Sequence, residues 1–150
     1  MHSSSGRSPR TGRFATSTCR HKAIRRTGIR AATLDAAERQ TVDLLRELVA
    51  DGRAVLIGPI RQEILSGVRE QKTFDRLRVQ LRAFEEQPIG VEEYEEAARC
   101  ANRCRATGIA GSGVDFLICA VALHRKLAIL TTDGDFDNFA TVLPITLMRR

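Results

Sequence analysis

Three carboxylates stand at positions that hydropathy patterning leaves unexplained: Glu63, Asp115 and Asp133, the last followed two residues later by Asp135. Glu63 lies in a segment of helical periodicity, and Asp115 begins a run otherwise almost without charge. Asp133 follows an apolar stretch, within Thr131-Thr132-Asp133-Gly134-Asp135-Phe136. Each acid has an ordinary structural use. Asp115 could cap a helix or favour its positive end, Glu63 could belong to a solvated face, and Asp133 and Asp135 could be turn residues. Gathered in one cleft, three such acids would repel one another unless a cation sat among them. With oxygen donors and neither His nor Cys beside them, that cation would be Mg²⁺ or Mn²⁺ rather than zinc.

The surrounding elements must bring these acids together. Ala54-Val55-Leu56-Ile57, an apolar run between Gly52 and Gly58, predicts a buried parallel strand. Leu127–Leu130 and Val142–Leu147 predict two more, the last at a sheet edge because Pro144 cannot donate to a ladder. Pro88–Val91 reads as a brief strand or an extended link. Helical spacing covers about residues 34–50, with Asp35 as cap, Glu38 as its capping-box partner and Asp51-Gly52 as the stop. Further helices are expected from Pro59 to about Val68, over Phe74–Phe84 and over Glu92–Thr107. Val114–Arg125 is apolar nearly all round, and such a helix is buried.

Short apolar strands alternating with helices specify an α/β domain with a parallel sheet. Helices in such a sheet run opposite to the strands, so helix N-termini and strand carboxyl ends share one edge, where open α/β sheets place ligands. The three acids are therefore expected to converge on that edge.

Composition sets the bounds. A chain of 150 residues, 43% hydrophobic and 28% charged, has the length of one globular domain and contains no run resembling a membrane span. The net charge of +6 is unevenly placed. Eight Lys and Arg and no acid lie in residues 1–30, which leaves 16 basic against 18 acidic side chains in the rest, a net of −2. Residues 1–32 are rich in Ser, Thr, Arg and Gly, with too few large apolar side chains to offset the entropy of ordering, so a disordered basic tail is expected before a domain at 33–150. Such a tail could make sequence-independent phosphate contacts, although composition favours a plain solubilising segment or a start that is not the natural one. Four cysteines without a secretory signal point to a reducing, cytoplasmic setting rather than to a disulfide framework.

Gly58-Pro-Ile-Arg-Gln-Glu63-Ile-Leu-Ser-Gly67, Gly113-Val-Asp115-Phe-Leu-Ile-Cys-Ala-Val-Ala122 and Ile129-Leu-Thr-Thr-Asp133-Gly-Asp-Phe136 follow one another in an order and spacing that resemble the PIN-domain toxins of the VapC family over about residues 33–150. The resemblance implies a three-layer fold and a Mg²⁺-dependent endoribonuclease, usually a homodimer blocked by a small antitoxin. It implies that Glu63, Asp115 and Asp133 build the metal site, with Asp135 close by and Thr131 at a hydroxyl position near the metal. A divalent ion fixed by carboxylates can activate a water and neutralise charge on a scissile phosphate. Few protein ligands suffice, because Mg²⁺ keeps several waters.

One part of the pattern is missing. These toxins begin with a short apolar central strand ending in an Asp that helps to hold the metal. No Asp precedes Asp35, and Phe14-Ala-Thr-Ser-Thr-Cys19, the best strand candidate in the tail, contains no acid. The expectation is a PIN-like sheet without its usual first central strand and a nuclease impaired by the lost Asp. The alternative is a catalytically inactive module that binds an antitoxin or RNA. The apolar stripes of residues 34–50 and 59–84 could receive an antitoxin segment or simply pack on the sheet.

Other residues offer less. Cys100 and Cys104, spaced i,i+4 on a helix, could share a metal with Cys119 or His124, but zinc pairs more often sit in tight loops. Cys119 reads as a buried small hydrophobe. Gly111-Ser112-Gly113 is only loosely like a phosphate-cradling turn and reads as a flexible start to a helix. The acids Glu92, Glu93, Glu95 and Glu96 occupy a first turn, where the helix dipole favours them.

Overall fold

A computed structural model describes residues 14–16 and 36–148. The elements are β1 (Phe14–Thr16), α1 (Ala36–Ala50), β2 (Ala54–Ile57), α2 (Gly58–Ser66), α3 (Gln71–Leu81), β3 (Glu85–Gln87), α4 (Val91–Ala106), α5 (Gly113–Arg125), β4 (Ala128–Leu130), α6 (Asp135–Ala140) and β5 (Thr146–Met148). All strand pairs are parallel, in the order β3-β2-β1-β4-β5. This is the expected α/β architecture.

The largest correction concerns β1. A sheet without its middle strand is overturned, because Phe14–Thr16, inside the segment expected to be a disordered tail, pairs with β2 on one side and β4 on the other. Phe14 lies in register with Ala54 and Ala128, and Ala15 with Val55 and Ile129. Three residues are too few to show a period. What makes them a strand is backbone pairing on both edges by partners far along the chain. The remainder of residues 1–32, Asp35 and the side chain of Glu38 lie outside the described residues.

Two other strands shift. The extended segment expected at Pro88–Val91 lies upstream, at Glu85–Gln87. Its acidic, exposed residues suit a sheet edge, where charge discourages further pairing, and Pro88 follows it without an N–H to extend the ladder. At the other edge, β5 begins only at Thr146. The N–H groups of Val142 and Leu143 instead donate to the carbonyl of Phe139, wrapping those residues onto the end of α6. The third helix spans Gln71–Leu81, three residues earlier than the Phe74–Phe84 expectation, with Leu81 still buried.

Helices cover both faces. Leu44 and Leu48 of α1 pack with Ala54 of β2 and Leu130 of β4. The larger core joins Val55, Ile57 and Ile129 of the sheet to Ile60 of α2, to Ala97, Cys100 and Cys104 of α4 and to Ile118–Ala122 of α5. Small side chains on α4 let α5 lie close against it. Lys126, in the left-handed region with φ 53°, ends α5 and turns the chain towards β4. That tight return fixes the opening of α5 above the carboxyl end of the β4 strand.

Candidate functional site

The chain order β1, β2, β3 runs outward on one side and β4, β5 on the other, so the direction of winding reverses between β1 and β4. A crevice outside the carboxyl ends of strands at such a reversal is the usual ligand position in an open α/β sheet. Asp115 belongs to the helix whose N-terminus faces this crevice, and Asp133 follows the strand that borders it.

Asp115 is held by a reciprocal cap. Its backbone N–H donates to Ser112 Oγ at 3.1 Å, and its Oδ2 accepts from the Ser112 N–H at 2.8 Å. Ser-x-x-Asp at a helix start is a recognisable capping-box spacing, so Ser112 was legible as a positioning residue but went unnoticed as one. The capping role expected of Asp115 is real. It leaves the carboxylate half-buried at the start of α5.

Asp133 is organised by a turn. Its N–H donates to Oγ1 of the buried Thr131 at 3.0 Å, while its Oδ1 accepts from the Asp135 N–H at 3.0 Å. The Asp133 carbonyl then accepts from the Phe136 N–H at 3.3 Å, starting α6. The structure thus brings Thr131, Asp133 and Asp135 together in one hydrogen-bonded turn. Side-chain hydrogen bonds of this kind are why Asp and Thr favour such turns.

Glu63 stands apart. It is exposed on α2, on the β2 side of β1, at about 7.5 Å along the helix axis from Gly58 by the usual rise per residue. Arg61, one residue pair earlier, donates from Nε to Glu86 Oε2 at 2.7 Å and ties the first turn of α2 to β3. Among the described residues, no group of three or more His, Cys, Asp or Glu is assembled to hold a metal. Cys100, Cys104, Cys119 and His124 form no such group, and neither do the acids.

The polar side chains at the start of α5 and after β4, the carboxylates of Asp115, Asp133 and Asp135 and the hydroxyl of Thr131, offer hard oxygens. That chemistry fits Mg²⁺ or Mn²⁺ held by few protein groups and several waters. The cysteines behave differently. Burial pushes the Cys100 thiol up to about 11 and raises those of Cys104 and Cys119, so all three are neutral, fully buried fillers at pH 7. Cys119 is the small hydrophobe that its neighbours in the sequence suggest.

One of the carboxylates expected in a first turn favoured by the helix dipole is buried. Glu93 is 6% exposed, its Oε2 accepts from the Gly90 N–H at 2.8 Å, and its Oε1 meets Arg125 Nη2 at 3.3 Å and His124 Nδ1 at 3.5 Å. Its helical register with Ala97, Cys100 and Cys104 on the buried face of α4 sets it apart from Glu92 and Glu95, while its cationic partners arrive from the far end of α5.

A comparison with curated proteins finds no match. Residues 27–142 match the PIN domain family. The match opens downstream of β1, spans α1 to α6 and includes Glu63, Asp115, Asp133 and Asp135. PIN domains are a nuclease fold and typically use divalent metals. With well over half of its length matched and its strands and helices in the α/β arrangement described above, the chain belongs to the PIN domain family.

Proposed function

We propose that this chain is a Mg²⁺- or Mn²⁺-dependent endoribonuclease, the toxin of a toxin–antitoxin pair, weakened by the lack of an acid at the end of its central strand. The observation that supports this reading is topological: in a PIN domain, Asp115 opens α5 and Asp133 follows β4, the strand at the point where the winding of the parallel sheet reverses. A bound divalent ion would supply an activated water and charge neutralisation at the scissile phosphate. Asp115 and Asp133 would hold that ion, with Asp135 and Glu63 completing the acidic rim. Thr131 fixes the Asp133 backbone. The apolar stripes of α1 to α3 pack largely into the core, so an antitoxin segment would dock on what they leave exposed, such as Val79 of α3. A homodimer working in the reducing cytoplasm completes this reading.

A second reading is an inert module that retains antitoxin or RNA binding. The observation favouring it is that Phe14–Cys19, the segment containing β1, carries no carboxylate. One experiment separates the two: the purified full chain is incubated with single-stranded RNA in Mn²⁺, in Mg²⁺ and in EDTA. The expected result is slow cleavage that EDTA stops and that Asp133→Asn reduces by about 10–100-fold, as weakening a metal site does. Divalent-ion binding without cleavage would favour the inert module. Neither binding nor cleavage would overturn the metal reading.

A further inference from the structure

The two parts of the candidate site are separate in sequence. What backs both is a trio of phenylalanines. Phe116 follows Asp115 directly, Phe136 follows Asp135 directly, and Phe139 lies between their rings. Its centroid is 5.2 Å from that of Phe116 and 5.3 Å from that of Phe136. Phe136 and Phe139 are fully buried and Phe116 nearly so. The backbone of Gly111 closes over this trio. A Cβ at position 111 would stand 2.6 Å from Phe139 Cζ and 3.0 Å from both Phe139 Cε1 and Phe116 Cζ. Gly113, two residues on, meets nothing within 4 Å, so only the first glycine of Gly111-Ser112-Gly113 is demanded by packing.

We infer that Gly111 and Phe139 form a positioning device that sets the Asp115 cap against the Asp133–Asp135 turn. Gly111 precedes Ser112, whose N–H and hydroxyl hold Asp115. Phe139 belongs to α6, whose first turn is built on Asp133. Contact between glycine backbone and ring therefore joins the loop that aims one carboxylate to the helix that follows the others. A close-packed aromatic cluster transmits a displacement because its rings have no empty volume to absorb it. Rigid support of this kind holds metal-binding groups within the narrow tolerance that their chemistry needs. The role in metal binding rests on the proposed function, whereas the mechanical coupling does not.

The test uses the full chain with Gly111→Ala, Phe139→Leu and the double variant, since leucine removes both Phe139 ring atoms that an alanine methyl would strike. The first readout is the set of backbone amide resonances of Ser112, Asp115, Asp133 and Asp135 without metal. The expected result is that Gly111→Ala moves all four and that adding Phe139→Leu returns them towards their original positions. Movement confined to Ser112 and Asp115 would overturn the coupling. Should Gly111→Ala fail to fold, Phe139→Leu alone must move the same four amides, and their constancy would overturn it equally. The second readout is Mn²⁺ affinity, expected to fall about tenfold in Gly111→Ala, within the range seen for loss of outer-shell support, and to recover in the double variant. Unchanged affinity in Gly111→Ala would overturn the positioning role. A wild-type chain that binds no Mn²⁺ removes the metal function and with it this role, while the amide readout still decides the coupling.

Discussion

Glu93 and Asp115 occupy the same station in two neighbouring helices. Each is the third residue of its helix, and each accepts a hydrogen bond from the backbone N–H three positions earlier, Gly90 for one and Ser112 for the other, both at 2.8 Å. Their surroundings then diverge. Glu93 is buried and faces Arg125 and His124 from the end of α5. Asp115 is half-buried, and no ion pair reaches it among the described residues. One capping carboxylate is consumed in joining two helices. The other is oriented by its cap, and among the described residues no cationic side chain pairs with it, a condition suited to holding a cation. Local geometry decides where a carboxylate points, and the layer above it decides whether its charge remains available.

Exchanging the charge at each station should sharpen this contrast. The largest effect is expected from Asp115→Asn. The amide oxygen preserves the cap, so intrinsic stability should change by no more than about 0.5 kcal/mol, as for a benign surface substitution. The stabilisation by divalent ion, about 2.7 kcal/mol at a hundredfold excess over Kd, should disappear from thermal unfolding measured with and without Mn²⁺. Glu93→Gln should give the opposite pattern, lowering Tm with Mn²⁺ affinity unchanged. The Gly90 N–H, followed by His124 and Arg125, holds the Glu93 carboxyl below its ordinary range against the opposing effect of burial. Its contribution is therefore complete above the unfolded carboxyl's pKa and is lost as pH falls through the lower folded value. The Tm difference between wild type and Glu93→Gln should accordingly be full at neutral pH and shrink on acidification. Arg125→Ala should have the smallest effect, a Tm loss below that of Glu93→Gln. Arg125 is itself largely exposed, and the Gly90 and His124 contacts remain.

What the sequence disclosed follows the reach of each interaction. Ala54–Ile57 and Gly113–Arg125 are legible because burial on every side leaves a continuous apolar run in the residues themselves. Asp115 and Asp133 stand out because each interrupts or ends such a run. β1 was hidden because its identity resides in its ladders with β2 and β4 rather than in Phe14-Ala15-Thr16. β3 was missed because Glu85-Glu86-Gln87 is an exposed edge, where pairing on one side is compatible with polar side chains on both faces. The need for glycine at position 111 is steric and comes from rings supplied by α5 and α6, so the local Gly-Ser-Gly composition suggested flexibility where the fold needs close contact.

The place of β1 bears on how the molecule is made. Synthesis delivers Phe14–Thr16 before the rest of the sheet, yet one of its two flanking ladders requires Ala128–Leu130, far downstream. Until those residues leave the ribosome, the strand can be paired on one flank only, with β2. Distant pairings of this kind are slow to form. The crevice between β1 and β4, which that last seam borders, can therefore form only after Ala128–Leu130 have been made.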